Sequence, residues 1–318
     1  MHPVLNLVAQ RLALGLLLLW AVSLLIFFGV AALPGDAAQA MLGQSATPVA
    51  LANLRAKMGL NDPLLGRYLH WLGGFVTGDL GRAMSNGQDI AKSIGQRLGN
   101  TMFLAFWAAI IAVPLAIVLG LLAARYHGRW PDRLISGVTL ATISLPEFVA
   151  GYLVLFFLAV KWRLFPSMAM IFPGMGVFER LYAISLPVIV LVMVVLAHMM
   201  RMTRAAILNV MQSAYIETAE LKGLGPLAVI WKHAFPNAIA PVVNVVMLNL
   251  AYLVVGVVVV EVVFVYPGMG QFLVDHVTKR DLPVVQACGM IFAAVYIGLN
   301  ILADVISILA NPRLRHPK

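Results

Sequence analysis

Six long apolar stretches restrict how this chain of 318 residues can fold. Each holds about 20 or more mostly apolar residues, which at a rise of about 1.5 Å per residue can cross a bilayer as a helix. The stretches are Leu12–Leu33, Leu98–Ala124, Leu134–Val160, Leu181–Met200, Ala238–Val260 and Val284–Ala310. Charged residues make up only 11% of the chain, against about 25% in soluble domains. We therefore predict an all-α integral membrane protein with six transmembrane helices in a lipid bilayer.

The orientation follows from the Lys and Arg residues between the stretches. An even number of spans places both termini on one side of the membrane. The short segments on that side, the termini included, hold eleven Lys and Arg residues, and the short segments on the other side hold five. Because short cytoplasmic loops are enriched in these residues, we predict that both termini are cytoplasmic. The net charge of +9 then reflects membrane orientation, and we expect no nucleic-acid partner.

The N-terminal part of the chain consists of the first apolar stretch and a long interval after it. The first stretch is longer than the roughly 7–15 apolar residues of a secretory signal, so we expect a retained helix. The interval Pro34–Arg97, with its Gly and Pro punctuation, predicts a small extracytoplasmic cap of short helices that pack on the spans or on a partner. The predicted organisation is an N-terminal helix and extracytoplasmic segment over 1–97, a five-helix core over 98–310 and a cytoplasmic tail over 311–318.

A polar block interrupts the apolar second half of the chain. Ser213 is a residue type that caps helix starts, and the residues after it, up to Lys222, suit a short helix. Gly223 and Gly225-Pro226 predict its end, since glycine permits left-handed backbone and proline cannot extend a helix. A second short segment, Leu227–Ala234, is predicted to end at Pro236. We expect a rigid cytoplasmic stub near 213–224, although an ordinary solvated loop is the alternative.

This block resembles the coupling motif of permease subunits of binding-protein-dependent ABC importers. The matching positions are Glu217, Ala219, Gly223 and Pro236. Thr218 replaces the first alanine of the motif, and His233 and Phe235 stand where an aliphatic pair is usual. Further segments resemble the dipeptide, oligopeptide and nickel branch, in particular its first-permease, DppB/OppB-like type. They are Leu33-Pro-Gly-Asp36, Gly78-Asp-Leu-Gly81, Tyr215-Ile-Glu-Thr-Ala219, Lys222-Gly-Leu224, Trp231-Lys-His-Ala234, Asn237-Ala238, Glu261-Val-Val-Phe264, Tyr266-Pro-Gly-Met-Gly270, Asp281-Leu-Pro-Val-Val-Gln286 and Asn311-Pro-Arg313.

The resemblance implies a type I ABC importer permease fold and a division of labour between subunits. The coupling helix would dock on a cytoplasmic ATPase, where Glu217 contacts the ATPase, Ala219 keeps the docking surface low and Gly223 allows the turn. Lys222 and Pro236 complete this predicted set. None of the seven lysines follows a glycine, so the chain lacks the Gly-Lys step of a phosphate-binding loop. We therefore expect no cofactor on this chain, and ATP and Mg²⁺ on two separate ATPase subunits.

A carboxylate inside the third stretch is a candidate for the solute path. Glu147 follows Pro146, and a charge at that depth is costly unless it faces water, a partner or a proton. Pro146 predicts a kink. We expect Glu147 to attract a cationic group of the solute or, equally, to bind a cation or hydroxyl on a neighbouring helix. The other candidates for the path are Ser144, Asn244 and Asn249.

The loop Tyr266–Pro283 is the candidate for an outer gate. In this branch of the family the corresponding loop lies near the docked solute-binding protein, so the resemblance suggests Tyr266, Gly268, Gly270 and Asp275 as contacts. A plain surface turn is the alternative. Glu261 and Asp304, at the ends of their stretches, are interpreted as polar anchors between helices.

The predicted function is that of a non-catalytic permease subunit in the bacterial inner membrane. It would form half of the path for a small solute, most simply a di- or oligopeptide, beside a second homologous permease chain. Nickel chelates, glutathione and sugars remain open as solutes. An ion-coupled secondary transporter is the rival class, but it needs coupling carboxylates and usually repeated halves. The scattered histidines and the missing serine-nucleophile motif disfavour a membrane enzyme, and a channel would leave the stub without a role.

Overall fold

The computed structural model describes residues 3–32, 37–42, 46–57, 59–172 and 174–310. The motifs Leu33-Pro-Gly-Asp36 and Asn311-Pro-Arg313, and with the latter the predicted tail over 311–318, lie outside the described residues. Within these ranges five helices are long and apolar enough to cross a membrane. Their bounds are Asn6–Ala31, Ile90–Arg125, Ser185–Met211, Pro226–Val263 and Leu282–Ile306.

The first and last of these helices lie side by side. The first, α1, spans Pro3–Ala31, and the last, α15, spans Leu282–Ala310. Arg11 of α1 and Asp304 of α15 form an ion pair with 3.1 Å between Nη1 and Oδ2. The interpretation of Asp304 as an anchor between helices is therefore confirmed.

The segment between α1 and the next long helix forms three short helices. They are α2 (Ala37–Leu42), α3 (Pro48–Lys57) and α4 (Leu64–Thr77). Tyr68 of α4 is buried against Phe27 of α1, and its hydroxyl lies 2.8 Å from the Ser23 hydroxyl. Helix α5 spans Ile90–Arg125, so residues 90–97 of the predicted cap belong to that helix. Asp89 accepts from the Lys92 amide at 2.9 Å and caps its start.

The predicted span Leu134–Val160 is interrupted at Leu145 and Pro146. Helix α6 (Trp130–Ser144) and helix α7 (Glu147–Val154), which continues as a π-helical segment over Leu155–Lys161, meet at an angle of 104°. Pro146 lacks an amide hydrogen and disfavours helical backbone at Leu145, which is extended with φ −87° and ψ 128°. The sequence predicted a kink at Pro146, and the structure has a break. The described residues therefore contain six spans only if this bent pair is one of them.

The helices after the break also differ from their predicted bounds. Helix α8 spans Val177–Ala183, and α9 spans Ser185–Met211, so α9 runs eleven residues past the predicted end at Met200. The short helix α10 spans Ala214–Leu221.

The fifth predicted span, Ala238–Val260, begins too late, because the helical rod starts at Pro226. The rod consists of α11, a π-helical segment, α12 and α13, and α14 follows it as a separate helix. Their bounds are Pro226–Ala228, Val229–Ala234, Phe235–Val255, Val258–Val263 and Met269–Thr278. Pro236 lies in the first turn of α12 and does not end a helix, contrary to the prediction. The preceding π-helical segment spaces the backbone carbonyls differently there, and the side-chain Nδ2 of Asn237 donates to the His233 carbonyl at 2.8 Å.

Small residues let α5 and α9 pack closely at the centre of the fold. Ala108, Ala112, Ala116 and Gly120 recur every four residues along α5 and are all buried. A Cβ on Gly120 would lie 2.9 Å from the Thr203 Cβ of α9. Such spacing of small residues is a common way to bring membrane helices together. Helix α9 is thereby held between α5 and α12, and the main core forms around it.

A buried carboxylate of α13 joins two other helices. Glu261 of α13 is fully buried and accepts from the Thr101 hydroxyl of α5 at 2.6 Å and from the Gly270 and Gln271 amides at 2.6 and 3.1 Å. These amides belong to the first turn of α14, where free N–H groups and the helix dipole favour an anion. The Thr101 hydroxyl also accepts from the Met269 amide at 2.9 Å. The interpretation of Glu261 as a polar anchor between helices is therefore confirmed.

Gly268 is the residue at which this arrangement is most sensitive to substitution. A Cβ there would overlap the Glu261 carboxylate. We expect Gly268→Ala to lower the free energy of unfolding by about 1–3 kcal/mol, the usual cost of overpacking, measured by thermal unfolding in detergent. Gly298→Ala is the matched control, since a Cβ at this helical glycine meets nothing within 4 Å. Equal melting temperatures for the two variants would contradict the close approach.

Candidate coupling surface and solute path

Helix α10 is held at both of its ends. Its first residue, Ala214, comes three positions after the end of α9 at Met211, and four residues separate its last residue, Leu221, from the next helix. Ser213 occupies the position before the helix, but its hydroxyl donates to the Val210 carbonyl at 2.6 Å and therefore closes α9. The predicted side-chain cap of α10 by Ser213 is thus wrong.

The buried face of α10 packs on the π-helical segment that follows it. Ile216 and Ala219 form a small core with Val229 and Ala234. Residues three apart lie on the same helix face, so Ala219 points inward together with Ile216. The resemblance implies that Ala219 keeps the docking surface low, and this role stays a prediction. In the structure only 5% of the residue is exposed, so its methyl group faces the inner core. A larger side chain would separate α10 from Val229 and Ala234.

The other face of α10 is exposed and mixes acidic with apolar side chains. Glu217 and Glu220 are exposed, and Lys222 follows at the end of the helix. Leu221 is 82% exposed, so most of this leucine side chain is uncovered by the described part of the chain. Other large exposed side chains on this block are Tyr215, Leu224, Leu227 and Trp231. An exposed apolar patch of this kind is typical of a protein interface.

The turn after α10 depends on glycine. Gly223 has φ +80°, in the left-handed region that other residues rarely adopt. Its amide donates to the Glu220 carbonyl at 2.9 Å, and the Leu224 amide donates to Ala219 at 3.3 Å. The predicted end of the helix at Gly223 is confirmed. Pro236 lies ten residues after Pro226 along the following rod and takes no part in this turn.

Glu147 lies in the first turn of α7, directly after the break. Its Oε2 accepts from the Tyr252 hydroxyl of α12 at 3.3 Å, and its Oε1 is buried without a hydrogen-bond partner. The sequence left open whether Glu147 meets the solute or a hydroxyl on a neighbouring helix. The structure shows the hydroxyl, and the second oxygen remains available. Pro146 and Ser144, on the other side of the break, are exposed, and the Ser144 hydroxyl donates to the Leu140 carbonyl at 2.9 Å.

The two candidate asparagines lie on α12, the helix that carries Tyr252. Asn249 is half-buried, one turn before Tyr252, and donates to the Val245 carbonyl at 2.8 Å. Asn244 is exposed. Among the residues that the structure describes, Tyr252, which sequence reasoning missed, is the one that hydrogen-bonds to the Glu147 side chain. No local pattern marks it, because the contact joins residues 105 positions apart.

Three of the four candidates for the outer gate are buried. Tyr266 donates from its hydroxyl to the Asn100 carbonyl at 2.6 Å, and burial raises the pKa of this phenol further above its ordinary value. Gly268 and Gly270 lie against the Glu261 carboxylate. The loop folds inward around Glu261, so these three residues are not exposed in this structure, and their role at an outer gate stays a prediction. Asp275 is half-buried and accepts from the Gln271 side chain at 3.0 Å.

Two further buried carboxylates escaped sequence analysis. Asp132, in the first turn of α6, binds Arg204 of α9 through both side-chain oxygens. Asp281, just before α15, accepts from the Met84 and Ser85 amides at 3.1 and 2.8 Å and holds the loop before α5. A proline before an acidic residue at a helix start was a usable signal for Asp132. The partners were not foreseeable, since they lie 72 and more than 190 positions away.

The fold combines long apolar helices packed around α9, a broken helix that carries a carboxylate, and a short helix with an exposed polar face. Together these features define a membrane permease subunit. The profile of the family described as binding-protein-dependent transport system inner membrane component matches residues 116–316. The profile of the N-terminal part of such components matches residues 4–111. The chain belongs to this family and is a permease subunit of a binding-protein-dependent transport system.

Individual relatives cover the whole chain. It is 32% identical over 309 residues to a probable peptide ABC transporter permease protein, y4tP, of Sinorhizobium fredii, covering 97% of this chain and 99% of that protein. It is 36% identical over 313 residues to the glutathione transport system permease protein GsiC of Escherichia coli strain CFT073, covering 98% and 99%. Among solved structures, the MetNI methionine ABC transporter in inward-facing conformations matches with a TM-score of 0.50 and 16% identity, over 70% of this chain and 96% of that chain. The fold is that of a type I ABC importer permease.

The turn at Gly223 can be tested by amide hydrogen exchange. We expect Gly223→Ala to speed exchange of the α10 amides, because a non-glycine residue with left-handed backbone costs about 1–2 kcal/mol. Gly225→Ala is the control, since Gly225 has φ −63° and open space at its Cβ position. If both variants exchange like the unaltered chain, the helix end does not depend on the Gly223 conformation.

Proposed function

We propose that this permease subunit forms half of the path of an ABC importer for di- or oligopeptides. A second homologous permease chain forms the other half, and two separate ATPase subunits bind ATP and Mg²⁺. An extracytoplasmic solute-binding protein delivers the solute. The complex lies in the bacterial inner membrane, with both termini of this chain in the cytoplasm. Family membership supports the transport role, and the relatives named for peptide and glutathione transport support a peptide-like solute.

The observation that carries the proposal is the exposed face of α10. A leucine that is 82% exposed, beside two exposed glutamates, offers an apolar centre with a charged rim, as protein interfaces do. The inward face of the same helix is packed against the rod that begins at Pro226. A displacement of α10 therefore reaches α9 and the rod directly. ATP binding to the docked ATPases can then shift the equilibrium between two packings of the helices.

The docking of α10 can be tested with Leu221→Asp. Because interface anchors are typically worth at least about 2 kcal/mol, we expect co-purification of the ATPase subunits to weaken by at least about ten-fold. Leu65→Asp is the matched control: Leu65 is 64% exposed on α4, which this proposal places on the opposite side of the membrane. Loss of the ATPases from Leu65→Asp and their retention by Leu221→Asp would reverse the proposed orientation.

Dependence on ATP separates the proposal from its main rival. An ion-coupled secondary transporter needs an ion gradient and no ATPase, whereas this subunit needs the ATPases. Uptake by the full complex in vesicles without any ion gradient, driven by ATP, supports the importer. Uptake that persists after removal of the ATPase subunits contradicts it.

Glu147 is the proposed contact for a cationic group of the solute. Its Oε1 is buried and has no partner, while Oε2 is held by Tyr252. A buried carboxylate oxygen needs a donor, and peptides and glutathione both carry a free amino group. The break before α7 leaves Ser144 and Pro146 exposed beside it. Asn244 and Asn249 contribute polar groups along α12, and Asp275 is the remaining candidate for contact with the solute-binding protein.

Glu147→Gln tests this contact through the choice of solute. Since a hydrogen bond to a charged group is worth about 1.5–3 kcal/mol, we expect uptake of peptides with a free amino terminus to fall by about ten-fold or more at limiting concentration. Uptake of the same peptides after N-acetylation should change little. Tyr252→Phe is the control, because it removes the hydroxyl and leaves the carboxylate. An equal effect of Glu147→Gln on free and acetylated peptides would show a structural role.

A further inference from the structure

A bidentate ion pair links α6 to α9. The Arg204 Nε donates to Asp132 Oδ1 at 2.7 Å, and its Nη2 donates to Oδ2 at 2.8 Å. This parallel arrangement fixes the angle between the two groups as well as their distance. The carboxylate also accepts from the Gly128 amide at 2.9 Å and the Ser136 hydroxyl at 3.2 Å. Asp132 is only 4% exposed, so its carboxylate is shielded from solvent, whereas a quarter of the Arg204 side chain is exposed.

Arg204 lies on a part of α9 that is packed closely against α5. Arg204 follows Thr203, where α9 lies so close to α5 that Gly120 admits no Cβ. His127 is the other titratable group that faces the pair, with Nδ1 at 3.0 Å from Arg204 Nη2 and 3.4 Å from Asp132 Oδ2. The Arg204 end is thus fixed to the core.

Besides the ion pair, helix α6 lies along α9 and α5 and packs on the core through the half-buried Ile135. Asp132 and Thr139 are the only buried residues among its fifteen. Its apolar side chains Leu134, Val138 and Leu140 are each at least half exposed. The ion pair near the first turn therefore adds a directional polar attachment between α6 and α9 to a helix face with few buried side chains.

The pair also stands between the two candidate functional regions. Arg204 lies seven residues before the end of α9, and α10 begins three residues after that end. Asp132 lies near one end of α6, and the break that precedes Glu147 lies at the other end, about 20 Å away at 1.5 Å per residue. A displacement of α9 reaches the break through α6 only if α6 moves with α9.

We propose that Asp132 and Arg204 are positioning residues that make α6 follow α9, so that a displacement of α10 moves the α6–α7 break and Glu147. The inference rests on the proposed docking of α10 on an ATPase. It assigns a role in transmission to a pair that lies on neither the exposed face of α10 nor the α6–α7 break.

The ratio of solute transported to ATP hydrolysed tests this role in the full reconstituted complex. Asp132→Asn keeps the side-chain shape but replaces one acceptor oxygen by a donor. We expect this ratio to fall by at least about five-fold, the lower end of the usual coupling between two sites, while ATP hydrolysis stays close to that of the unaltered complex. Arg204→Lys keeps the positive charge but loses the bidentate geometry of the guanidinium group. We expect it to lower the transport ratio by less. Arg133→Gln removes an exposed charge one position after Asp132 and is the matched control.

A distance measurement tests the linkage directly. Spin labels at Val138→Cys on α6 and Met202→Cys on α9 replace side chains that are more than half exposed, and the native Cys288 is buried and does not compete for label. With the pair intact we expect the same separation without nucleotide and with ATP. In Asp132→Asn the separation should change with nucleotide, because α9 then moves without α6.

The outcomes separate this inference from the function on which it rests. If Leu221→Asp leaves ATPase association intact, the docking proposal fails. If Leu221→Asp acts but Asp132→Asn leaves the transport ratio and the label separation unchanged, the positioning role fails while docking stands. A parallel fall of uptake and ATP hydrolysis in Asp132→Asn overturns the role as well. Should Asp132→Asn fail to assemble, Arg204→Lys decides by the same two measurements.

Discussion

The close approach of α5 and α9 is the contact on which the rest of this fold depends. A stripe of small residues from Ala108 to Gly120 lets the two helices pack without an intervening layer of large side chains. Helix association in a bilayer gains little from the hydrophobic effect, so such packing contributes much of the attraction. Once α9 is fixed against α5, α12 covers another side of it and the rod from Pro226 to Val263 finds its place.

Polar groups complete what packing begins, and they do so at the ends of helices. Glu261 binds the first turn of α14, Asp132 binds Arg204, and Asp281 holds the loop before α5. Each carboxylate accepts hydrogen bonds from backbone amides or from a bidentate guanidinium group. These hydrogen bonds offset the free-energy cost of burying its charge. The outer surface of the helix bundle is mostly apolar, whereas specific polar contacts join the helices inside it. This distribution suits a subunit whose helices must move as bodies within lipid.

The two proposed functional regions differ in how they are built. The surface of α10 combines a rigid inner face with exposed leucine and glutamate side chains, so it can receive force. Glu147 instead lies where the helix is broken and where one carboxylate oxygen lacks a partner. A link between them must run through elements that move together, and the α6–α9 contact at Asp132 is one such connection, beside the rod that carries Tyr252.

Local chemistry allowed much of the architecture to be predicted from residues alone. Runs of apolar residues predicted the long helices, Pro146 an interruption and Gly223 a helix end, because each acts through its own backbone and near neighbours. The inward direction of Ala219, the burial of Tyr266, Gly268 and Gly270, and the pairing of Asp132 with Arg204 were out of reach. Those features depend on which distant helix lies alongside, and no nearby residue carries that information. Only the packed helices place α14 over Glu261 and Tyr252 beside Glu147.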